Sequence, residues 1–150
     1  MNVMPDSNAK MLYNDEAEKC FLGALLLNWN VMGQVISELQ PEQLFRHHNR
    51  IIYQTSTSMY GKVDNMDVLV LINELNKQNL LDRAGGYAYL SSLTDTVPSA
   101  ANIDYYIKNI KECYSNRELK DISFSLNDNV NQGLTPEENI EQIRKRLEQV

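Results

Sequence analysis

Cysteine is scarce in this chain, which has only Cys20 and Cys113 among its 150 residues. Two cysteines do not make a disulfide framework, so we interpret both as reduced, partly buried thiols. The first residues, up to Leu12, lack the basic start and the apolar stretch of a secretion signal. No apolar run approaches the roughly eighteen residues that a membrane span needs. These absences predict a cytoplasmic protein that does not enter a membrane.

Positive charge is also in short supply, because 14 lysines and arginines stand against 20 aspartates and glutamates, for a formal net charge of −6. A protein that binds nucleic acid through its phosphates clusters Lys and Arg on one face. Here Lys62, Lys77 and Arg83 are scattered among acids, and the basic run at residues 144–146 is short. The composition therefore disfavours a dominant phosphate-binding role. Tyrosines such as Tyr89 are interpreted as core or interface residues rather than as a platform for stacking bases.

Motifs that carry chemistry are missing as well. The sequence contains no Gly-x-x-x-x-Gly-Lys-Ser/Thr, the loop that cradles nucleotide phosphates and magnesium. The pair Gly85-Gly86 lacks the lysine and the preceding apolar strand, so it is interpreted as a tight entry into a helix. His47 and His48 are the only histidines, and neighbours in a helix point about 100° apart and do not easily share a metal ion. We predict no catalytic residue, no metal site and no cofactor.

Strand-like alternation of apolar and polar residues is the last absence, whereas apolar residues at helical spacing recur along the chain. The sequence predicts an all-α protein built as a small globular bundle followed by a long antiparallel hairpin. A flexible N-terminal arm is expected at residues 1–13, a globular subdomain of about six helices at residues 14–101, and the hairpin at residues 102–150.

Local signals predict where several helices begin and end. Asp15 is expected to cap the first helix, with Glu18 as its capping-box partner. Gly61 follows the third long helix, where a glycine often ends the last turn, and Asp67 is suited to cap the next helix. Pro98 is expected to close a polar loop ahead of the hairpin.

The hairpin itself has a clear internal pattern. One helix is predicted from Asn102 to about Asp128, and a loop from Asn129 to Thr135. Thr135, Pro136 and Glu138 then restart a helix as N-cap, first residue and capping-box partner. Apolar residues follow at spacings of three, four and three, which is typical of a coiled-coil seam; they are Ile140, Ile143, Leu147 and Val150.

The apolar residues of the hairpin exceed what two helices can cover between them. Leu119, Ile122 and Phe124 cannot all face one partner helix. The surplus meets either the globular part of the same chain or another chain, and we favour another chain, a second copy or a partner protein. The predicted protein-interface residues are Tyr89, Arg117, Leu119, Ile122, Phe124, Leu126, Ile140, Ile143 and Leu147.

Several stretches of the chain follow one another in an order that points to a family. They are Asp15-Glu16-Ala17-Glu18-Lys19-Cys20-Phe21-Leu22-Gly23-Ala24-Leu25-Leu26, Leu44-Phe45 with His47-His48-Asn49-Arg50-Ile51-Ile52-Tyr53, Gly61-Lys62-Val63-Asp64, Gly85-Gly86-Tyr87-Ala88-Tyr89-Leu90, Pro98-Ser99-Ala100-Ala101-Asn102-Ile103-Asp104-Tyr105-Tyr106 and Arg117-Glu118-Leu119. Together they resemble the N-terminal domain of the DnaB-type replicative DNA helicases over residues 13–150. The chain departs from the family at Leu12-Tyr13, where Pro is usual, at Asn49, where His is usual, and at Asp67, where Thr is usual.

The resemblance implies a role in DNA replication. Members of the family form hexameric rings whose N-terminal domains pair through their hairpins as a trimer of dimers, and this collar docks the helicase-binding domain of primase. ATP and magnesium belong to a separate motor domain of RecA type, and we expect this chain to stop before the linker to that domain. It is therefore expected to be no enzyme itself and to contact DNA only through the whole ring. A helicase loader is a further possible partner, and a stand-alone module that binds single-stranded DNA or a loader is the alternative.

Overall fold

The computed structural model describes residues 12–97 and 100–150, and the predicted all-α class is confirmed for them. Their one strand-like contact is an isolated bridge between Tyr60 and Val63. Most of the predicted arm, residues 1–11, and the predicted loop at Pro98 lie outside the described residues. From Asp15 onward, the described residues form seven α-helices in order, α1 (Asp15–Leu27), α2 (Met32–Glu38), α3 (His47–Met59), α4 (Val68–Lys77), α5 (Gly86–Ser92), α6 (Ile103–Asn131) and α7 (Pro136–Leu147), with short 3-10 helices at Trp29–Val31, Pro41–Gln43 and Leu93–Asp95.

Helix α1 is the centre of the globular body. It is buried on nearly every side, which is typical of a helix enclosed by others rather than one lying on a surface. It packs against α3, α6 and the 3-10 helix at Leu93–Asp95. A Cβ atom at Gly23 would lie 2.2 Å from the carbonyl oxygen of Leu93, so only glycine allows the two backbones to approach this closely.

A sharp bend separates α1 from the segment that follows it. The chain turns at Asn28, and Trp29, Met32 and Val35 are then buried in the core. No single helix among residues 12–97 and 100–150 is long and apolar enough to cross a membrane. The pair Asp15–Leu27 and Trp29–Glu38, bent by 106°, passes that test by length and composition only.

Several predicted helix boundaries are confirmed. The Asp67 carboxylate accepts from the backbone N–H of Val70 at 2.9 Å and caps α4. Thr135 and Glu138 form the predicted capping box at the start of α7, with distances of 3.2 and 3.0 Å. Gly61 follows α3 with a φ of 84°, a left-handed conformation that glycine adopts without strain.

The predicted capping box at Asp15 is wrong. Asn14 is the N-cap of α1, and its side chain accepts from the N–H of Ala17 at 3.0 Å. Glu18 is buried, with 2% of its surface exposed, and points away from its own helix start. The signature Asp-x-x-Glu was misassigned because Glu18 has better partners in a different part of the chain.

Those partners lie at the beginning of α3. The Glu18 carboxylate accepts from the backbone N–H of Phe45 at 2.7 Å and of Arg46 at 3.2 Å, and from the amide of Asn49 at 2.9 Å. Tyr89, on α5, donates its hydroxyl proton to the other end of the Asn49 side chain. A charged side chain from α1 therefore caps α3 in place of a residue of α3 itself, and the negative charge sits at the positive end of that helix.

Helix α6 is longer, and its connection to α7 shorter, than the sequence predicted. Helix α6 ends at Asn131 rather than near Asp128, so the connection to α7 contains only residues 132–135. Asn129, predicted to be in the loop, is helical. The first half of α6 also belongs to the body, because Ile103, Ile107 and Ile110 are buried in its core. Only the second half of α6, with α7, projects as a hairpin.

Arg117 ties the root of the hairpin to the body. Its guanidinium donates to the carbonyl oxygen of Leu12 at 2.6 Å and to that of Gln43 at 2.9 Å, and it lies 5.2 Å from the centre of the Phe45 ring. Partial burial lowers the pKa of Arg117. Tyr13 stacks on Phe45 with ring centres 4.7 Å apart, so residues 12 and 13, predicted to be part of a flexible arm, are held against the body.

Removal of the Glu18 carboxylate should destabilise the body. We expect Glu18→Ala to lower the free energy of unfolding by about 2–4 kcal/mol, because it leaves one buried and two partly buried donors without an acceptor. Urea unfolding followed by circular dichroism measures the loss. The matched control is Glu16→Ala on the exposed side of α1, which should cost less than about 0.5 kcal/mol. Equal midpoints for the two variants would contradict the role assigned to Glu18.

Arg117 provides a second test of the fold. Arg117→Met keeps much of the side-chain length but removes both donors, so we expect it to lower stability by about 1–3 kcal/mol and to speed amide exchange near Leu12 and Gln43. Hydrogen exchange read by mass spectrometry reports the local effect. Lys120→Met, on an exposed position of the same helix, is the control. If both variants exchange alike in these segments, Arg117 does not anchor the hairpin.

Candidate protein-interaction surface

The two helices of the hairpin meet through a largely polar seam. Asn139 is only 5% exposed; its amide donates to the carbonyl oxygen of Leu126 at 3.3 Å, and its oxygen accepts from Asn129 at 2.9 Å. Nearer the root, Arg146 donates to Ser125 and, at 2.7 Å, to Asp121. The seam therefore uses amide and ionic contacts where the sequence predicted an apolar one.

The apolar side chains of the hairpin are exposed instead. On α6, steps of seven and four residues bring Leu119, Leu126 and Val130 to one face, and they are 45%, 43% and 64% exposed. On α7, Ile140 and Leu147 are separated by seven residues and are 55% and 47% exposed. Side chains of this size stay in water only at some cost, and a contiguous group of them marks an interaction surface.

Both apolar stripes lie on the same side of the hairpin. Ser125 and Asn129 of α6 reach α7, so Leu126, about a quarter of a turn further round, faces one flank. Asn139 and Arg146 of α7 contact α6, and Leu147 lies about 100° further round α7 than Arg146. Because α7 runs antiparallel to α6, this rotation brings Leu147 to the same flank of the hairpin as Leu126. The body lies on the opposite flank. We call this surface the outer face; its members are Leu119, Leu126, Val130, Ile140 and Leu147.

A separate apolar surface lies near the root of the hairpin, on another side of α6. Phe124 is 60% exposed and borders a cavity of about 320 Å³. We call this cavity the Phe124 pocket; the residues that line it are Leu12, Tyr13, Phe45, Arg117, Lys120, Asp121 and Phe124. Helical rotation separates Phe124 from Leu119 by about 140°, so the Phe124 pocket and the outer face are accessible to different partners.

The structure divides the predicted interface residues into groups. Leu119, Leu126, Ile140 and Leu147 are exposed together on the outer face, and half-buried Ile143 lies at its edge. Phe124 lies apart from them, in its own pocket. The remaining residues, Arg117, Ile122 and Tyr89, make contacts within the chain.

Those three residues are engaged in intrachain packing for different reasons. Arg117 is bound to backbone carbonyls of its own chain, and Ile122 is 5% exposed. Tyr89 lies on the body beside Asn49, with its ring against His48 at 4.8 Å, and burial raises its pKa to about 12. Arg117 and Ile122, both predicted as interface residues, are therefore engaged within their own chain, and Arg117 also lines the Phe124 pocket.

Sequence reasoning missed Val130 as a member of the outer face. Its side chain is 64% exposed, and it continues the stripe of Leu119 and Leu126 by one further turn. The signal was the spacing of four residues after Leu126, but Val130 had been placed in the loop between the helices. The polar seam at Asn129 and Asn139 was missed for the same reason.

The ionisable side chains of the described part of the chain do not gather into a metal-binding cluster. No group of three or more His, Cys, Asp or Glu side chains there could hold a metal ion. Burial raises the pKa of the Cys20 thiol and that of the Cys113 thiol, which favours the protonated and unreactive form of each. Burial lowers the pKa of His48, whose ring packs on Tyr89.

Comparison with known proteins places this geometry in context. The family model of the DnaB-like helicase N-terminal domain matches residues 10–112. The replicative DNA helicase DnaB of Treponema pallidum is 35% identical over 107 residues, which are 71% of this chain and 24% of that protein. The chain thus spans about a quarter of the length of that relative.

Two solved structures share the fold. The N-terminal domain of DnaB helicase from Mycobacterium tuberculosis has a TM-score of 0.83 and 27% identity, over 93% of this chain and 99% of that one. A DnaB-like replicative helicase, described with its interactions with primase, has a TM-score of 0.74 and 23% identity, over 90% of this chain and 31% of that one. The chain belongs to the family of DnaB-like helicase N-terminal domains.

Proposed function

We propose that this chain is the non-catalytic assembly and docking part of a replicative DNA helicase, and that two copies pair through their outer faces. The observation that supports pairing is the continuous row of exposed aliphatic side chains on the flank of the hairpin that faces away from the body. Burial of a Leu or Ile side chain contributes roughly 1.5–3 kcal/mol. A second copy offers the same row of residues, as the two-fold interface of a homodimer requires.

Pairing of this kind is the first step toward a ring. Three pairs arranged around an axis give a hexamer, and the full-length relatives are replicative DNA helicases. Within the ring, the N-terminal domains would form a collar, and ATP hydrolysis would belong to a motor domain outside this sequence. Magnesium and nucleotide are assigned to that domain in the proposal, since the phosphate-binding motif is absent from the sequence.

We further propose that primase docks at the Phe124 pocket. Two observations support this choice over the outer face. The pocket lies on a different side of α6, so it stays open when two hairpins pair, and its stacked Tyr13 and Phe45 rings provide a rigid wall. One structural relative is described with its interactions with primase. The helicase-binding domain of primase is the expected occupant, with an apolar side chain inserted beside Phe124.

Acidic substitutions on the outer face should separate the copies. Ile140→Asp with Leu147→Asp places two charges on a surface that would be dehydrated in the pair, so we expect the dissociation constant for self-association to rise at least about a hundredfold. Sedimentation velocity measures the change. Both positions are exposed, so the circular dichroism melt of the body should be preserved.

The matched control for that experiment is Leu69→Asp. Leu69 is 60% exposed on α4, away from the hairpin, and the change is the same in chemistry. Its sedimentation should equal that of the unchanged protein. A wild-type chain that sediments as a monomer at high concentration, or a double variant that associates as well as wild type, would overturn pairing through the outer face.

A change at Phe124 should weaken primase binding and leave self-association unchanged. Phe124→Asp is expected to weaken binding of the helicase-binding domain of primase by on the order of a hundredfold, since an exposed aromatic side chain that the complex would bury is replaced by a charge. Isothermal titration calorimetry measures this binding, and sedimentation should show unchanged self-association. Lys120→Ala, a polar neighbour at the rim, should change the affinity only slightly. Undiminished primase binding by Phe124→Asp would refute the docking site.

A further inference from the structure

A groove on the globular body lies away from both surfaces of the hairpin. It has a volume of about 710 Å³ and is formed by α3, α4 and the turn between α4 and α5. None of the residues that line it belongs to the hairpin. Pairing of hairpins and occupation of the Phe124 pocket leave this groove unused.

Three basic side chains that are far apart in the sequence lie together along this groove. Lys62, Lys77 and Arg83 all line it, although the chain carries a net charge of −6. None of the three forms an ion pair with a carboxylate in the described parts of the chain. Arg83 instead directs its guanidinium toward the ring of His47, at 3.4 Å. Three positive charges that line one cleft and form no ion pair raise its electrostatic potential and attract an anionic group.

Negative charge within the groove is limited to one side chain. Among the described residues that line the groove, Glu74 is the only acid, and Gln78 donates to its carboxylate at 2.7 Å. The three cations therefore outnumber the acid. A ligand that matches the groove carries carboxylate or phosphate groups at its edges.

The floor of the groove is apolar. Ile51 and Met59 of α3 form its deeper part, and half-buried Val63 and Leu80 contribute to its sides. Aliphatic groups of a ligand would lose water there, which adds affinity to the charge contacts at the rim. Phenylalanine, tyrosine and tryptophan are missing from the lining, so the groove offers no such ring on which a nucleic-acid base could stack.

We propose that this groove binds an acidic peptide segment of a partner protein, one in which carboxylates alternate with aliphatic side chains. Lys62, Lys77 and Arg83 contact the carboxylates, and Ile51 with Leu80 receives an aliphatic side chain. The proposal depends on the charge and shape of the groove and is independent of pairing through the outer face.

The probe for this site is a short fluorescein-labelled peptide of alternating Glu and Leu, titrated with the full 150-residue chain and followed by fluorescence anisotropy. A peptide of alternating Glu and Ser has the same charge but no aliphatic groups, and should bind about tenfold more weakly. Raised salt should weaken the binding of both peptides. Equal affinity for the two peptides, or displacement of the Glu-Leu peptide by oligo(dT) at equal concentration, overturns the proposal.

Charge reversal locates the site. Lys62→Glu with Lys77→Glu should lower the affinity for the Glu-Leu peptide at least about tenfold. The control is Lys108→Glu with Lys111→Glu, the same change at two exposed lysines on α6 that line a different groove with Glu38, Asp104 and Glu112. Equal losses in the two double variants, or none in the first, refute the site.

Two further variants keep the result interpretable. Lys62→Gln with Lys77→Gln removes charge without adding any, and should weaken binding even if charge reversal disturbs folding. Ile140→Asp with Leu147→Asp should bind the peptide as the unchanged chain does. A loss of peptide binding in that variant would tie the groove to self-association and contradict its independence.

Discussion

The buried carboxylate of Glu18 is the contact on which the arrangement of the body depends. A charge removed from water costs several kcal/mol unless its hydrogen bonds are replaced, and here two backbone N–H groups and the Asn49 amide replace them. Those N–H groups lie at the start of α3, which has no side-chain cap of its own. The Glu18 carboxylate and the N–H groups at the start of α3 therefore satisfy each other's hydrogen bonds. Tyr89 extends the same network to α5 through Asn49. Glu18 and Asn49 together link α1, α3 and α5 in one hydrogen-bond network.

The short turn ahead of α3 transmits this order to the hairpin. Its N–H groups at Phe45 and Arg46 are bound by Glu18, and its carbonyl at Gln43 is bound by Arg117 of α6. Arg50 donates to the carbonyl oxygen of Phe45 at 2.9 Å, so a second carbonyl of the turn also accepts a hydrogen bond. Charged side chains from three helices thus hold one turn by its donors and its acceptors. Arg117 stands where α6 leaves the body, so this turn is bound to the root of the hairpin.

The sequence predicted features whose partners are near in the chain. Thr135 with Glu138, Asp67 and Gly61 act within one helical turn, so their local patterns were sufficient, and the ordered motifs correctly indicated the family. Glu18 has the same local signature as a capping box, but its partners are more than 25 residues away and compete successfully for its oxygens. Along the hairpin, spacing identified Ile140 and Leu147 as one stripe but could not tell which side of α7 meets α6.

The side of α7 that meets α6 determines which side chains of the hairpin remain exposed. If Ile140 and Leu147 faced α6, the hairpin would be satisfied alone, and its surface would be polar. The seam instead contains Asn139, Asn129 and Arg146, whose contacts specify register while contributing little net stability in water. A two-helix hairpin held in this way is marginal by itself, since apolar burial provides most of the stability of packed helices. Under the proposed pairing, the copy that covers the outer face would supply the missing stability, and the order of the hairpin would then be coupled to the association of copies.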